Sequence, residues 1–178
     1  MSGESLNGPV PVPRLGRTPS RLRIHGTPVL CVMLGSMIPA LLPLISQSPT
    51  LPPLGLLFLL SWRLLHREIW PLWIGAPLGA FDDLMSGNPL GTAIFLWSVI
   101  IIAIEFADER LFWRDYWHDW LIAVPACLTF LGGSFLIARM GGSAVPAFLL
   151  LPQLLWSALF YPLIVRITAG MDRWRMMA

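Results

Sequence analysis

The 178-residue chain is 56% hydrophobic and only 12% charged, with a formal net charge of +2 from 12 basic and 10 acidic residues. About a quarter of an ordinary soluble domain is charged, so this composition excludes a soluble cytosolic enzyme, and it is the reverse of a disordered chain's. The near balance of charge leaves no strong counterion-release contribution, which argues against nucleic acid as a partner. The remaining class is an all-α integral membrane protein.

Residues 1–27 form the first segment. They hold four Pro, four Gly, three Ser and four Arg (Arg14, Arg17, Arg21, Arg23) and almost no apolar run. Such a stretch buries too little surface to offset its ordering entropy, and is expected to be a flexible basic tail attracted to anionic headgroups. A cleaved signal peptide fits less well, because Ile38-Pro39-Ala40-Leu41-Leu42-Pro43 stands where a small-residue cleavage site belongs.

Six apolar stretches follow, at 28–45, 51–65, 69–81, 90–105, 120–138 and 145–167. They are continuously apolar and do not alternate, which predicts helices and not barrel strands. A straight span needs about 20 apolar residues. Only the fifth and sixth reach or approach that length, so the second to fourth must thin the bilayer or bury their ends in protein. Proline is frequent inside the spans (Pro39, Pro43, Pro71, Pro77, Pro125, Pro146, Pro152, Pro162), which predicts bent helices. Domain boundaries are expected at 1–27 (tail), 28–170 (six-span bundle) and 171–178 (short cytoplasmic tail). With both termini cytoplasmic, 11 of the 12 Arg face the cytoplasm and only Arg139 faces the other side. That asymmetry supports an inward tail and an even number of spans.

Between the third and fourth stretches runs Gly75-Ala76-Pro77-Leu78-Gly79-Ala80-Phe81-Asp82-Asp83-Leu84-Met85-Ser86-Gly87-Asn88-Pro89-Leu90-Gly91. Gly75 and Gly79 leave one helical face bare for the close approach of another helix. Gly87 sits in an Asn88-Pro89 turn, where backbone permissiveness is needed. Asp82 and Asp83 are expected at the external membrane boundary, a costly place for a carboxylate. Paired aspartates can hold a divalent cation against a diphosphate, but the other acidic cluster, Glu105 to Asp119, lies across the membrane. A proton relay needs a carboxylate deeper in the spans. Capping of the turn through backbone N–H groups is the third use.

Glu105 to Trp120 joins the fourth and fifth stretches. At 100° per residue, Phe106, Phe112, Trp113, Tyr116, Trp117 and Trp120 share one arc and Asp108, Arg110, Arg114, Asp115, His118 and Asp119 the other. This pattern predicts a helix lying in the headgroup layer. Its charged arc is either solvated or a docking face for a cytoplasmic partner. His118 with Asp115 and Asp119 imitates metal-ligand spacing, but a charge-rich face produces this by chance.

The chain has no Lys and so no phosphate-binding loop, and His25, His66 and His118 share one side with no nucleophile to activate. Cys31 and Cys127 stand alone in apolar surroundings. No enzyme, cofactor or metal site is expected.

The order Gly79, Asp83, Gly87, Gly91 in Asp-Leu-Met-Ser-Gly-Asn-Pro-Leu-Gly resembles the signature of the MreD family of small bacterial rod-shape-determining membrane proteins. Leu51-Pro52-Pro53-Leu54 with Trp62-Arg63, and Trp156 to Pro162 followed by basic residues, are also similar to its pattern. The likeness covers about 28–170, and the Pro/Arg tail departs from it. The resemblance implies a six-helix transmembrane bundle similar to the substrate-binding subunits of energy-coupling-factor vitamin transporters. It also implies a non-catalytic role in cell elongation and peptidoglycan synthesis beside MreC, the MreB filaments, a RodA-type glycosyltransferase and a class B penicillin-binding protein. The leading expectation is a scaffold that packs the MreC transmembrane helix on small-residue faces such as Gly75/Gly79 and Gly132/Gly133. The alternative is a small-molecule transporter subunit holding a ligand beside Asp82, Asp83 and Asn88.

Overall fold

A computed structural model describes residues 21–41, 51–66, 68–110, 116–142 and 146–177. Six α-helices account for most of them: α1 (Arg21–Leu41), α2 (Leu54–Leu65), α3 (Gly75–Ser86), α4 (Thr92–Arg110), α5 (Tyr116–Met140) and α6 (Leu150–Met177). Short 3-10 turns, Leu72–Ile74 and Ala147–Leu149, lead into α3 and α6, each entered through a proline (Pro71, Pro146). There is no strand among the described residues.

The architecture is set by α2. Its sequence, Leu-Gly-Leu-Leu-Phe-Leu-Leu-Ser-Trp-Arg-Leu-Leu, is apolar on every side, and Leu56, Leu57, Leu59, Leu60 and Trp62 are all fully buried. A helix without a polar face belongs in the middle of a bundle. Here α2 packs on α1, α5 and α6, while the ring closes around it through the neighbouring pairs α1/α3, α3/α4, α4/α5, α5/α6 and α6/α1. At 12 residues it is about 18 Å long, too short to cross the hydrocarbon alone. Surrounded by protein, it does not have to, because its ends meet helices and not lipid.

The ring faces outward with apolar side chains. On α6 the exposed large hydrophobics include Leu151, Leu155, Leu159, Leu163 and Ile167 in an i, i+4 stripe, with Trp156 and Trp174 beside it, and α1 shows Leu30, Leu34, Ile38 and Leu41. The interior holds Ser61, Arg63, Asp82, Asp83, Asp108, Thr168 and Arg175, all buried. A water-soluble bundle would reverse this arrangement. Two stretches, Asp119–Met140 and Leu150–Arg175, are long and apolar enough to cross a membrane unaided.

One end of the bundle, the terminal end, gathers the start of α1 and the end of α6: Cys31 Sγ lies 3.7 Å from Met171 Sδ. The side chain of Arg63, at the end of α2, pairs with Glu105 and lies 4.0 Å from Asp108 on α4. His66 Nε2 is 2.9 Å from Asp172 Oδ2 on α6. Arg175 Nη2 donates to Asp172 Oδ1 at 2.5 Å, and its guanidinium carbon stands 5.3 Å above the Trp62 ring. The hydroxyls of Ser61 and Thr168 are hydrogen-bonded between α2 and α6. At the opposite, distal end, Gln153 Nε2 donates to the Leu51 carbonyl at 2.8 Å and ties α6 to the entry of α2.

Two expected boundaries move. Arg21 to Thr27, assigned to the tail, are the first turns of α1, and residues 171–177 continue α6 and are not a separate tail. At the second place the contacts of Met171, Asp172 and Arg175 with Cys31, His66 and Trp62 hold the helix against the bundle. Residues 1–20 lie outside the described residues.

Candidate functional site

The motif at 75–91 builds the distal junction of α3 and α4. Gly75 and Gly79 stand one helical turn apart, and both faces are already taken. A Cβ on Gly79 would lie 2.6 Å from the Ala93 carbonyl oxygen, and one on Gly75 would lie 3.0 Å from the Ser98 nitrogen. The expectation that this face receives a partner helix is therefore corrected: α4 of the same chain occupies it. Gly133 is likewise filled by Leu96, whereas Gly132 has open space in front of it. Leu78, between the two glycines of α3, is buried in the core.

Asp82 and Asp83 are not in a turn. They lie in the last turn and a half of α3, which continues to Ser86 and stops at Gly87 in the left-handed conformation (φ 69°). There the absence of a Cβ lets the chain reverse. Asp83 then reaches across to α4 and accepts from the backbone N–H of Gly91 (Oδ2, 2.8 Å) and Ala93 (Oδ1, 2.8 Å), with Ile94 at 3.5 Å. The N–H and hydroxyl of Thr92 donate to the Pro89 carbonyl at 3.1 and 2.8 Å. The otherwise orphaned amides at the start of α4 thus find partners. Asp83 is 2% exposed, so its charge is held by those N–H groups and the positive end of the helix dipole. Capping, one of the three expected uses, describes Asp83, although the helix it caps is the next one. Gly91 (φ 104°) supplies the bend that presents its own N–H to the carboxylate.

Asp82 points elsewhere. It lines a distal cavity of about 220 Å³ with Gly35, Ser36, Gly55, Asn88, Phe130 and Gln153 among its walls. Asn88 Nδ2 donates to Ser86 Oγ at 3.1 Å, and Ser86 Oγ donates to the Asp82 carbonyl at 2.6 Å. The pair expected beside a ligand is therefore split: Asp82 and Asn88 share the cavity, and Asp83 is committed to the cap. Ser36 and Gln153 were not singled out in the sequence. The signal was there, since each is a lone polar residue inside an apolar run.

A second concavity of about 240 Å³ lies on the outside of the bundle between α4 and α5, along Val99, Ala103 and Ala107 on one side and Leu121, Pro125 and Thr129 on the other. Ile100, Ile104 and Ala126 form its buried lining, and the small Ala103 and Ala107 stand nearer the surface. Thr129 Oγ1 donates to the Pro125 carbonyl at 2.8 Å, so its polar atom turns back to the helix and leaves the groove apolar.

The expected headgroup helix also differs. Its described flanks belong to the long helices: Glu105 to Arg110 continue α4, and Tyr116, Trp117 and Trp120 begin α5. Trp120 Nε1 donates to the Ala158 carbonyl of α6 at 3.2 Å, so this ring packs between helices. Trp113 lies outside the described residues. No group of three or more His, Cys, Asp or Glu able to hold a metal ion occurs among the described residues.

A family model described as rod shape-determining protein MreD matches residues 23–169. No curated protein and no solved structure matches the chain.

Proposed function

Because the chain belongs to the MreD family, membrane proteins with a role in rod-shape determination, we propose that it is a non-catalytic scaffold of the cell-elongation machinery. In this reading it binds the transmembrane helix of MreC and helps position peptidoglycan synthesis by a RodA-type glycosyltransferase and a class B penicillin-binding protein, alongside MreB filaments. It does so as a six-span protein of the bacterial inner membrane with both termini in the cytoplasm, where the arginine asymmetry would place them.

The observation that carries the proposal is the groove between α4 and α5. Helices associate in lipid by close packing, without a hydrophobic driving force, and small residues permit the approach. Ala103 and Ala107 repeat at i, i+4 along an open apolar channel between two helices, and their small side chains would let a single apolar helix approach and gain van der Waals contact along its length. The glycine faces of α3 are closed by α4, which leaves this groove as the better seat. The buried charged groups support a structural role: Asp83 caps α4, and Arg63 ties α2 to α4.

Replacing Ala103 by Trp fills the groove from an exposed position. The expected result is loss of MreC co-purification and of rod shape with an unchanged unfolding midpoint, whereas Leu159→Trp on the exposed face of α6 leaves both intact. Full MreC co-purification with Ala103→Trp would refute the groove as the seat.

A further inference from the structure

The distal cavity has a chemistry that the scaffold reading does not use. Several of its polar donors are spent inside the protein: one N–H of Asn88 Nδ2 on Ser86, Ser86 Oγ on the Asp82 carbonyl, and one N–H of Gln153 Nε2 on the Leu51 carbonyl. These side chains leave over the acceptors Oδ1 of Asn88 and Oε1 of Gln153, beside the second N–H of each amide. To these is added the carboxylate of Asp82, 8% exposed, with no Arg or His paired to it among the described residues. Ser36, 3% exposed, lies beside that carboxylate, yet its hydroxyl has no hydrogen-bond partner of proper geometry. Gly55 makes the room: a Cβ there would run into Ser36 Oγ and come within 3.0 Å of Asp82 Oδ1. The remaining wall is apolar, including Pro39, Met85 and Phe130.

A buried carboxylate without a counter-charge is costly, and a buried hydroxyl without a partner adds to the cost. A ligand with N–H donors and a positive charge relieves both at once. At about 220 Å³ the cavity is below the 300–1,000 Å³ usual for drug-sized or vitamin-sized ligands. It is also larger and more apolar than a bare metal ion requires. We infer that this cavity is a binding site for a primary ammonium group on a short alkyl chain, the ammonium seated on Asp82 and Ser36 and the chain against Met85 and Phe130. The group is either a free alkylamine or a lysine side chain presented by a partner at the distal face. This inference is independent of the α4/α5 groove.

The test is a titration of the purified full chain in detergent micelles with n-butylammonium chloride, followed by the thermal unfolding midpoint. Sodium chloride at matched ionic strength and n-butanol, the neutral analogue, are the controls. The expected result is a saturable upward shift with n-butylammonium alone, as for any ligand that binds only the folded state. Asp82→Asn is expected to abolish the shift. Asn88→Leu, at a half-buried position just past the end of α3, is expected to weaken binding about tenfold, or 1.4 kcal/mol. N-acetyl-lysine methylamide distinguishes the sources: a matching shift assigns the site to a lysine side chain, and a shift with n-butylammonium only assigns it to a free amine. An equal shift with n-butanol, full binding by Asp82→Asn or by Asn88→Leu, or no saturable shift with either amine would overturn the inference.

Discussion

Asp83 carries more of the distal junction than any other side chain. Its two oxygens replace the hydrogen bonds that the first turn of α4 cannot make for itself, and they do so from a different helix, so one residue fixes both the helix start and the α3/α4 crossing. Asp83→Ala leaves buried N–H groups without partners and is expected to lower stability by about 2 kcal/mol, the upper end for loss of an N-cap. Asp83→Asn keeps one acceptor but turns an NH₂ toward another donor, and is expected to cost about half as much. Denaturant midpoints of the two variants in the same detergent check the order: Ala below Asn, Asn below the parent chain. The motif was legible in the sequence as a turn with a capping carboxylate, and Gly87 as its permissive point. The direction of each aspartate was not. Adjacent residues on a helix point about 100° apart, so Asp82 and Asp83 were bound to face different neighbours, but only the packing of α4 decides which one meets amides and which one meets the cavity.

At the scale of the element, α2 explains why the second apolar stretch is so short. The sequence shows an apolar run with Ser61 and Arg63 embedded in it. Read alone, Arg63 is a cytoplasm-facing charge near the end of that stretch. In the bundle it is 2% exposed and pairs with Glu105, 44% exposed, while Asp108 at 3% lies behind it. Removing one member of a buried pair leaves a charge without compensation, at a cost of about 3 kcal/mol or more. Arg63→Ala is expected to show a loss of that size in unfolding measurements. Glu105→Ala, whose carboxylate is half in solvent, is expected to cost under about 1 kcal/mol. Equal losses would show that burial does not govern this cluster. The six helical stretches, their order and the short middle ones were readable from apolar run length. The fate of 105–120 was not, because an aromatic arc reads the same whether it meets headgroups or a neighbouring helix. Trp120 meets α6.

For the whole molecule, the apolar exterior and the buried charged groups fit a membrane protein: a ring of five helices turns apolar side chains outward and packs around a sixth. The stripe from Leu151 to Ile167 and the groove along Ala103 and Ala107 are both apolar, and both carry a concavity, the former beside Pro152, Leu155, Trp156 and Leu159, but only the groove runs between two helices. In the proposed reading, that continuity between α4 and α5 is what makes the groove the partner's seat. Composition placed the chain in a membrane, and the motif suggested its family, now matched over 23–169. Small residues close contacts inside a chain as readily as between chains: Gly75, Gly79 and Gly133 meet α4, and Gly132 stays open. The most direct measurement is photo-crosslinking in living cells with a light-activated amino acid at Ala103 on α4 or at Leu159 on α6. The account predicts adducts to the transmembrane helix of MreC from position 103 and none from 159. Adducts from 159 alone, or equally from both, would contradict it.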